Sequence, residues 1–462
     1  MPLILGANSA SGGYNVANSL RFNSASSDYL SRTPSSTGDR QKFTISCWVK
    51  RSTLTASGKN IMVAWSGAKS GASFGSAIYF NSSDQIEVDH DIAGSDYTFN
   101  TNMVFRDVSA WYHIVLAVDT TQATSANRQT IYVNGSSVAL TATALGFPIQ
   151  NFNTYFNFSG GENDIGSDYF SAGYADQYMS EFYLIDGQAL TPSSFGETDF
   201  DTGIWKPKAY TGTYGTNGFY LQFKNSASLG TDSSGNGNTF TVNNLTSVDQ
   251  STDTPTNNFC TLNAVQTPTY ATLSEGNLVT AGSDYTGCSA NFGVNKGKWY
   301  WEVKTVGTTG INQYTGVSNR ANEQSGDSSP NLATANVRSW AGNGQFKNYT
   351  GTVGVSNASF ISTNGTIYSY ALDLDNGTLA RYVNGSLINT DTTLPSDNSV
   401  TFFPFTNTTN SGGGGWNQSQ FNFGSPMYSA NSYTDGAGYG NFSYAVPSGY
   451  YSLNTKNLAT FG

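Results

Sequence analysis

Charge is scarce in this sequence. Asp, Glu, Lys and Arg make up 11% of its 462 residues, under half the roughly 25% of an ordinary soluble domain. The 21 basic residues stand against 31 acidic ones, for a net charge of −10, which disfavours nucleic acid and anionic lipid as partners. Cysteine occurs only three times, as the widely spaced Cys47, Cys260 and Cys288. That odd number excludes a disulfide framework or a Cys₄ zinc site, and with no basic neighbour the three read as free, inert thiols. Two histidines, His90 and His113, leave almost no material for a His-based metal centre. No apolar stretch approaches the roughly 18 to 20 residues of a spanning helix, so membrane insertion is not expected. The segment Met1–Asn8 has no basic n-region, so no signal peptide is expected and assembly in a cytoplasm is.

Helical periodicity is also missing, because Gly, Asn, Ser or Thr interrupts nearly every apolar run within eight residues. What is present is 14% aromatic residues and 50 glycines. That aromatic content can bury a core, which argues against disorder. Short β-branched and aromatic runs such as Phe43–Val49, Tyr112–Val118, Thr130–Val133, Phe182–Ile185, Trp299–Val303 and Tyr368–Leu374 are separated by turn residues. The pattern predicts an all-β chain, two antiparallel β-sandwich (jelly-roll-like) domains in tandem, within the two or three domains its length allows.

An internal repeat supports two related sandwiches. Ile131-Tyr132-Val133-Asn134-Gly135 recurs as Arg381-Tyr382-Val383-Asn384-Gly385, each preceded by a strand ending in Asp, at Asp119 and Asp375. Asn-Gly favours a type I′ hairpin turn because both residues tolerate φ > 0. The boundaries read as a first sandwich over 1–195, a second over 256–445 and a C-terminal tail over 446–462. Residues 196–255 read as a linker whose Phe219–Lys224 strand completes the first sandwich, since a lone strand is unstable.

The motifs Ser19–Phe22, Phe43–Lys50, Trp111–Asp119, Ile131–Gly135 and Glu181–Leu190 resemble, in order, those of a laminin-G-like domain of the concanavalin A-like lectin/glucanase superfamily. Gly297–Val303, Gly316-Val317, Tyr370–Gly377, Tyr382–Gly385 and Phe421–Gly424 resemble a SPRY (B30.2-like) domain. The pairing, with Ile185–Gly196 and Trp205–Gly215 between, is similar to proteins carried by marine bacteriophages. The resemblance implies two β-sandwiches and a place on a virion.

Glucanases of the superfamily carry Glu-x-Asp-x-Glu on one strand, and Glu87-Val88-Asp89-His90-Asp91 is similar, with Asp91 where the motif has Glu. Period two puts Glu87, Asp89 and Asp91 on one face, but four residues span about 13 Å whereas a retaining pair needs about 5 to 5.5 Å. No catalytic residue is assigned, and the strand reads as a solvated hairpin. Asp232, Asn236 and Asn238 in Gly230–Asn238 offer hard oxygens on a Gly turn, suited at most to weak Ca²⁺ binding; no other cofactor is expected. For a sugar, whose apolar face stacks on an aromatic ring, the loop candidates are Trp416 after four glycines, with Gln418 and Gln420 on the same side of its strand, and the pair Trp340 and Tyr349. Trp48 and Trp111 read as core.

The expectation is a non-enzymatic bacteriophage virion appendage, a tail fibre or capsid fibre or decoration, assembled in the host cytoplasm and adhering to host-surface glycan or protein. A structural decoration protein binding other virion proteins and a glycanase acting on host polysaccharide are the alternatives. A homo-oligomer is compatible with a phage fibre, but no heptad or β-helix period specifies one.

Overall fold

The computed structural model describes residues 13–462 apart from 56–58, 68–73, 93–94, 143–144, 168–172, 267–270, 283–285, 308–312, 320–336, 342–345, 349–350, 354–362 and 409–416. Its described elements are strands, short 3₁₀ turns and one α-helix, Thr455–Phe461. The chain divides into two units, one over Ala10–Thr256 and one over 257–462. No helix among the described residues is long and apolar enough to cross a membrane.

The first unit is a sandwich of two eight-stranded sheets. The first sheet is centred on Lys42–Arg51, which pairs antiparallel with Trp111–Asp119 on one side and Gln177–Asp186 on the other. The second sheet runs from Leu140–Ala142 through Ser95–Val104, Gln85–Ile92, Gly75–Phe80, Lys59–Trp65, Asn163–Ile165 and Tyr29–Arg32 to Thr241–Asn243. Alternate residues of both sheets, among them Ile45, Cys47, Val49, Ile114, Leu116, Met62, Ile78, Val88 and Phe99, close one core.

The stretch 196–255 is no linker but part of this sandwich. Phe219–Leu221 pairs with Gln177–Asp186, Thr241–Asn243 with Tyr29–Arg32, and Gln250–Ser251 with Ser19–Phe22. The expected Phe219–Lys224 strand stops at Leu221, and Phe223 has a left-handed φ of 54°, which breaks the ladder. The segment is fixed by polar contacts that hydropathy does not register: Lys50 Nζ donates to Asp253 Oδ2 at 2.8 Å and Trp111 Nε1 to Asp253 Oδ1 at 3.1 Å, all buried.

The second unit has an eight-stranded and a six-stranded sheet around a core of Trp299, Trp301, Val303, Tyr368, Tyr370, Leu372, Phe421 and Phe423. Residues 446–462, read as a tail, are folded into it. Tyr451–Ser452 pairs parallel with Lys298–Val306, the Thr455–Phe461 helix follows, and Tyr451 stacks on Phe461 with centroids 3.6 Å apart.

Both Asn-Gly repeats are hairpin turns with paired positive φ: 47° and 85° at Asn134 and Gly135, 46° and 81° at Asn384 and Gly385. Each Asn pins the strand beside it. Asn134 Oδ1 accepts from the His113 N–H at 2.8 Å and Asn384 Oδ1 from the Ile367 N–H at 3.0 Å. Each Gly lies beneath a ring, since a Cβ would stand 2.5 Å from Trp205 or from Tyr444. All three cysteines are buried thiols outside any disulfide.

Candidate functional site

The second sheet of the first unit places one residue row in the core and the adjacent row on its outer face. Leu30, Ile165, Met62, Ile78, Val88 and Phe99 align across six strands and are fully buried in the core. One residue along, Ser31, Asp164, Val63, Ala77, Asp89 and Thr98 align on the opposite side. Flanking rows bring Tyr79, Glu87 and Asn100 together on one side of it, and Trp65, Gly75, Asp91 and Asp96 on the other. Val63 and Ala77 therefore form with Trp65 a buried apolar patch, against which Tyr79 packs, between the two flanking rows. Val63, Trp65, Ala77 and Asp164 are buried, whereas Tyr79, Glu87, Asp89 and Asp91 are half-buried and Asp96 is exposed.

These carboxylates are not bare solvated groups on a hairpin. Glu87 accepts from the Tyr79 hydroxyl and from Asn81 Nδ2 at 2.9 Å. The Thr98 hydroxyl lies 2.5 Å from Asp96 Oδ1 and 3.3 Å from Asp89 Oδ1. Burial, then its bond to Asp96 and the nearby negative charges, pushes the Asp89 carboxyl up to about 8, so at neutral pH it holds a proton. The face thus offers a neutral acid beside Glu87, with Tyr79 as its accessible ring.

Neither histidine supplies an acid or base. His113 Nε2 lies 2.9 Å from Ser46 Oγ, but its Nδ1 accepts from Trp205 Nε1 at 2.9 Å. The proton therefore sits on Nε2 and points at the serine, the reverse of what a general base requires. Burial lowers His113 to about 3 and His90 to about 4.

These shifts set opposing parts of a pH profile. His90 and His113, held neutral in the fold, contribute a stability that grows as pH rises to 6.5, where the unfolded histidines lose their protons. Asp89 and Glu181, both raised by burial, carry protons that the unfolded chain lacks, so their contribution falls as pH rises. Thermal melts of the full chain should show a shallower loss of stability between pH 6.5 and 8 in Asp89→Asn than in the wild type.

The residues expected to bind a ligand are not gathered into one place. Trp416 and Tyr349 lie outside the described residues. Trp340 is no loop residue: it is buried on the strand Arg338–Ala341, against Phe346 and Tyr370 at centroid distances of 4.8 and 6.1 Å. The Gly342–Gly344 turn suggested a loop, but Arg338 and Trp340 are inward residues before it. Gln418 and Gln420 are half-buried on Asn417–Asn422, opposite in parity to the buried Phe421 and Phe423. Trp48 and Trp111 are buried, though on the outer face of the first sheet with Tyr178, beside Trp205.

Asp232, Asn236 and Asn238 form a self-satisfied turn. Asp232 Oδ1 accepts from the N–H groups of Tyr220 and Ser234, and Oδ2 from Ser234 Oγ and the Asn238 N–H, at 2.8 to 3.0 Å. Both Asn side chains donate to backbone carbonyls, Asn236 to Gly215 and Gly218, Asn238 to Thr216 and Gly218. Their polar groups close the loop rather than converge as oxygens on a cation. Among the described residues no three His, Cys, Asp or Glu side chains are grouped to hold a metal.

Sequence reasoning missed a buried carboxyl ringed by tyrosines. Glu181 sits at a bulge in Gln177–Asp186 with φ of 50° and accepts from the hydroxyls of Tyr14, Tyr183 and Tyr220 at 2.7 to 2.8 Å. Two of its partners, Tyr14 and Tyr220, lie 167 residues before it and 39 after it, beyond any local pattern.

No curated protein matches the chain. Solved structures similar to it include the SPRY domain of human HERC1 (18% identity over 35% of this chain and 96% of that one, TM-score 0.28) and the TRIM65 PSpry domain (15%, 35% and 88%, TM-score 0.27). Another is the native heptameric SAP-like pentraxin from Limulus polyphemus (14%, 39% and 80%, TM-score 0.28). Residues 24–194 match the family model of the concanavalin A-like lectin/glucanases superfamily, so the first unit contains a laminin-G-like, concanavalin A-like domain.

Proposed function

We propose that the chain is a non-enzymatic adhesion protein of a bacteriophage particle, and that it holds a neutral host-surface glycan on the outer face of the second sheet of the first unit. The observation that carries the reading is the outer face of Gly75–Phe80 and Gln85–Ile92, where half-buried Tyr79 lies across from Glu87 and protonated Asp89 follows on the same face. A ring face takes the apolar side of a pyranose, and carboxyl oxygens and a carboxyl proton take its hydroxyls. The same carboxylates repel uronic or sialic acids. The placement on a virion rests on the order of motifs that resembles phage proteins, and other virion proteins are then its assembly partners.

Full-length protein titrated onto immobilised neutral polysaccharides should bind, with polyanionic ones as the contrast. Tyr79→Ala and Asp89→Asn should each weaken binding at least about tenfold, or about 1.4 kcal/mol. Unchanged binding in both variants would move the site elsewhere.

One observation favours a glycanase as the second reading. Asp89 holds a proton next to Glu87, two strand residues or roughly 7 Å away, closer to a retaining pair than Glu87 and Asp91. Release of reducing ends by the wild type, lost in Asp89→Asn, would establish it; the adhesion reading expects no release.

A further inference from the structure

From Gln129 to Gly161 the sequence has 33 residues without one Asp, Glu, Lys, Arg or His. Its first part, residues 129–142, forms one rim of the first sandwich. Gln129–Val133 and Ser136–Ser137 end the first sheet, and Leu140–Ala142 ends the second, with the chain crossing between sheets at Val138 and Ala139. The strand beside Leu140–Ala142 is uncharged here as well, reading Phe99-Asn-Thr-Asn-Met-Val104. Exposed large apolar side chains collect in the same parts of the chain: Met103 at 42%, Val104 at 43%, Leu145 at 51% and Ile149 at 63%.

The backbone of this rim is open. Among the described residues Leu140–Ala142 pairs only with Ser95–Val104. The Asn102 N–H donates to the Ala139 carbonyl, and in the register Leu140↔Thr101, Thr141↔Asn100, Ala142↔Phe99 this makes Thr141 the next inward-bonding residue. The N–H and C=O groups of Leu140 and Ala142 therefore point away from the sheet. Sheet edges are ordinarily guarded by Lys, Pro or an inward charge, and this one has none of them.

We propose that this uncharged rim is where the chain pairs with a second copy of itself, antiparallel along Leu140–Ala142. The charge distribution selects that occupant. Two chains of net charge −10 repel across most of their surfaces, and a contact made along Leu140–Ala142 of both, beside Phe99–Val104, places no carboxylate of these segments against another. A cationic partner would instead be drawn to the acidic faces. Antiparallel pairing of one strand with its own copy is two-fold symmetric, so the contact closes at a dimer.

Sedimentation velocity of the full chain from about 1 to 100 µM should show a concentration-dependent dimer. Thr141→Lys puts a charge on the exposed edge, and Ala142→Pro removes an outward N–H that serves no intrachain bond. Both should raise the dimer dissociation constant at least about tenfold, with melting temperature and near-ultraviolet circular dichroism close to the wild type. Phe200→Asp, which changes a 99% exposed ring outside the run, should leave the dimer intact. A monomer at every concentration, or a dimer that survives both edge substitutions, overturns the proposal. A dimer broken by Phe200→Asp alone also overturns it, since the contact then lies elsewhere.

Discussion

Asp253→Ala is expected to destabilise the first unit by about 3 to 5 kcal/mol, because it removes the carboxylate that the buried Lys50 ammonium faces at 2.8 Å. Lys50 and Asp253 side chains are 1% and 2% exposed, with Nζ and Oδ2 2.8 Å apart, and Trp111 Nε1 loses its acceptor as well. For a unit of this length the loss corresponds to a fall of roughly 6 to 20 °C in melting temperature. The double variant Lys50→Met, Asp253→Leu should recover much of that fall, since it removes both charges and leaves apolar volume. Scanning calorimetry separates the outcomes. A fall of under about 1 kcal/mol in the single variant would show that residues up to Thr256 do not belong to the sandwich.

The second large effect is expected at Asp435, which fastens the C-terminal segment. Its Oδ1 accepts from the N–H groups of Ala437 and Tyr439 at 2.9 and 3.0 Å. Its Oδ2 accepts from the Ser452 N–H at 2.9 Å, Ser452 Oγ at 2.6 Å and Asn457 Nδ2 at 2.7 Å. Asp435→Ala leaves these five donors without that acceptor, three of them on residues that are themselves buried. Asn457 Nδ2 keeps the Ser452 carbonyl, so at about 1 to 3 kcal/mol for each of the two buried Ser452 donors the loss should be about 2 to 6 kcal/mol. Hydrogen exchange should show Tyr451–Ser452 and Thr455–Phe461 losing protection while Lys42–Arg51 in the first unit keeps it. Equal protection in variant and wild type would show that the segment is held by its apolar contacts alone.

These two anchors explain what the sequence discloses and what it conceals. Strands that alternate over several residues, such as Gln85–Ile92, are legible because burial follows period two, and the Asn-Gly turns because few residue pairs adopt two successive positive φ values. The segments 196–255 and 446–462 are obscure for the converse reason. They are poor in apolar runs, and carboxylates such as Asp253 and Asp435 tie them to groups far away in sequence. The acidic strand Glu87–Asp91 was visible, whereas Asp164, Val63 and Trp65 join its face only through strand pairing. Trp340 was misplaced because a neighbouring glycine turn says where the chain reverses, not which way the preceding side chain points.

The paired hairpins have a consequence for chemical ageing. Asn-Gly is the dipeptide most prone to deamidation, in which the glycine nitrogen attacks the asparagine side-chain carbonyl carbon to close a succinimide. At Asn134 and Asn384 the side-chain oxygen is committed to the N–H of His113 or Ile367, and the next residue is locked at φ of 85° or 81° under an aromatic ring. The amide cannot swing back to meet that nitrogen while the turn is closed. Isoaspartate at these two positions then records how often each hairpin has opened, one internal clock for each unit of the chain.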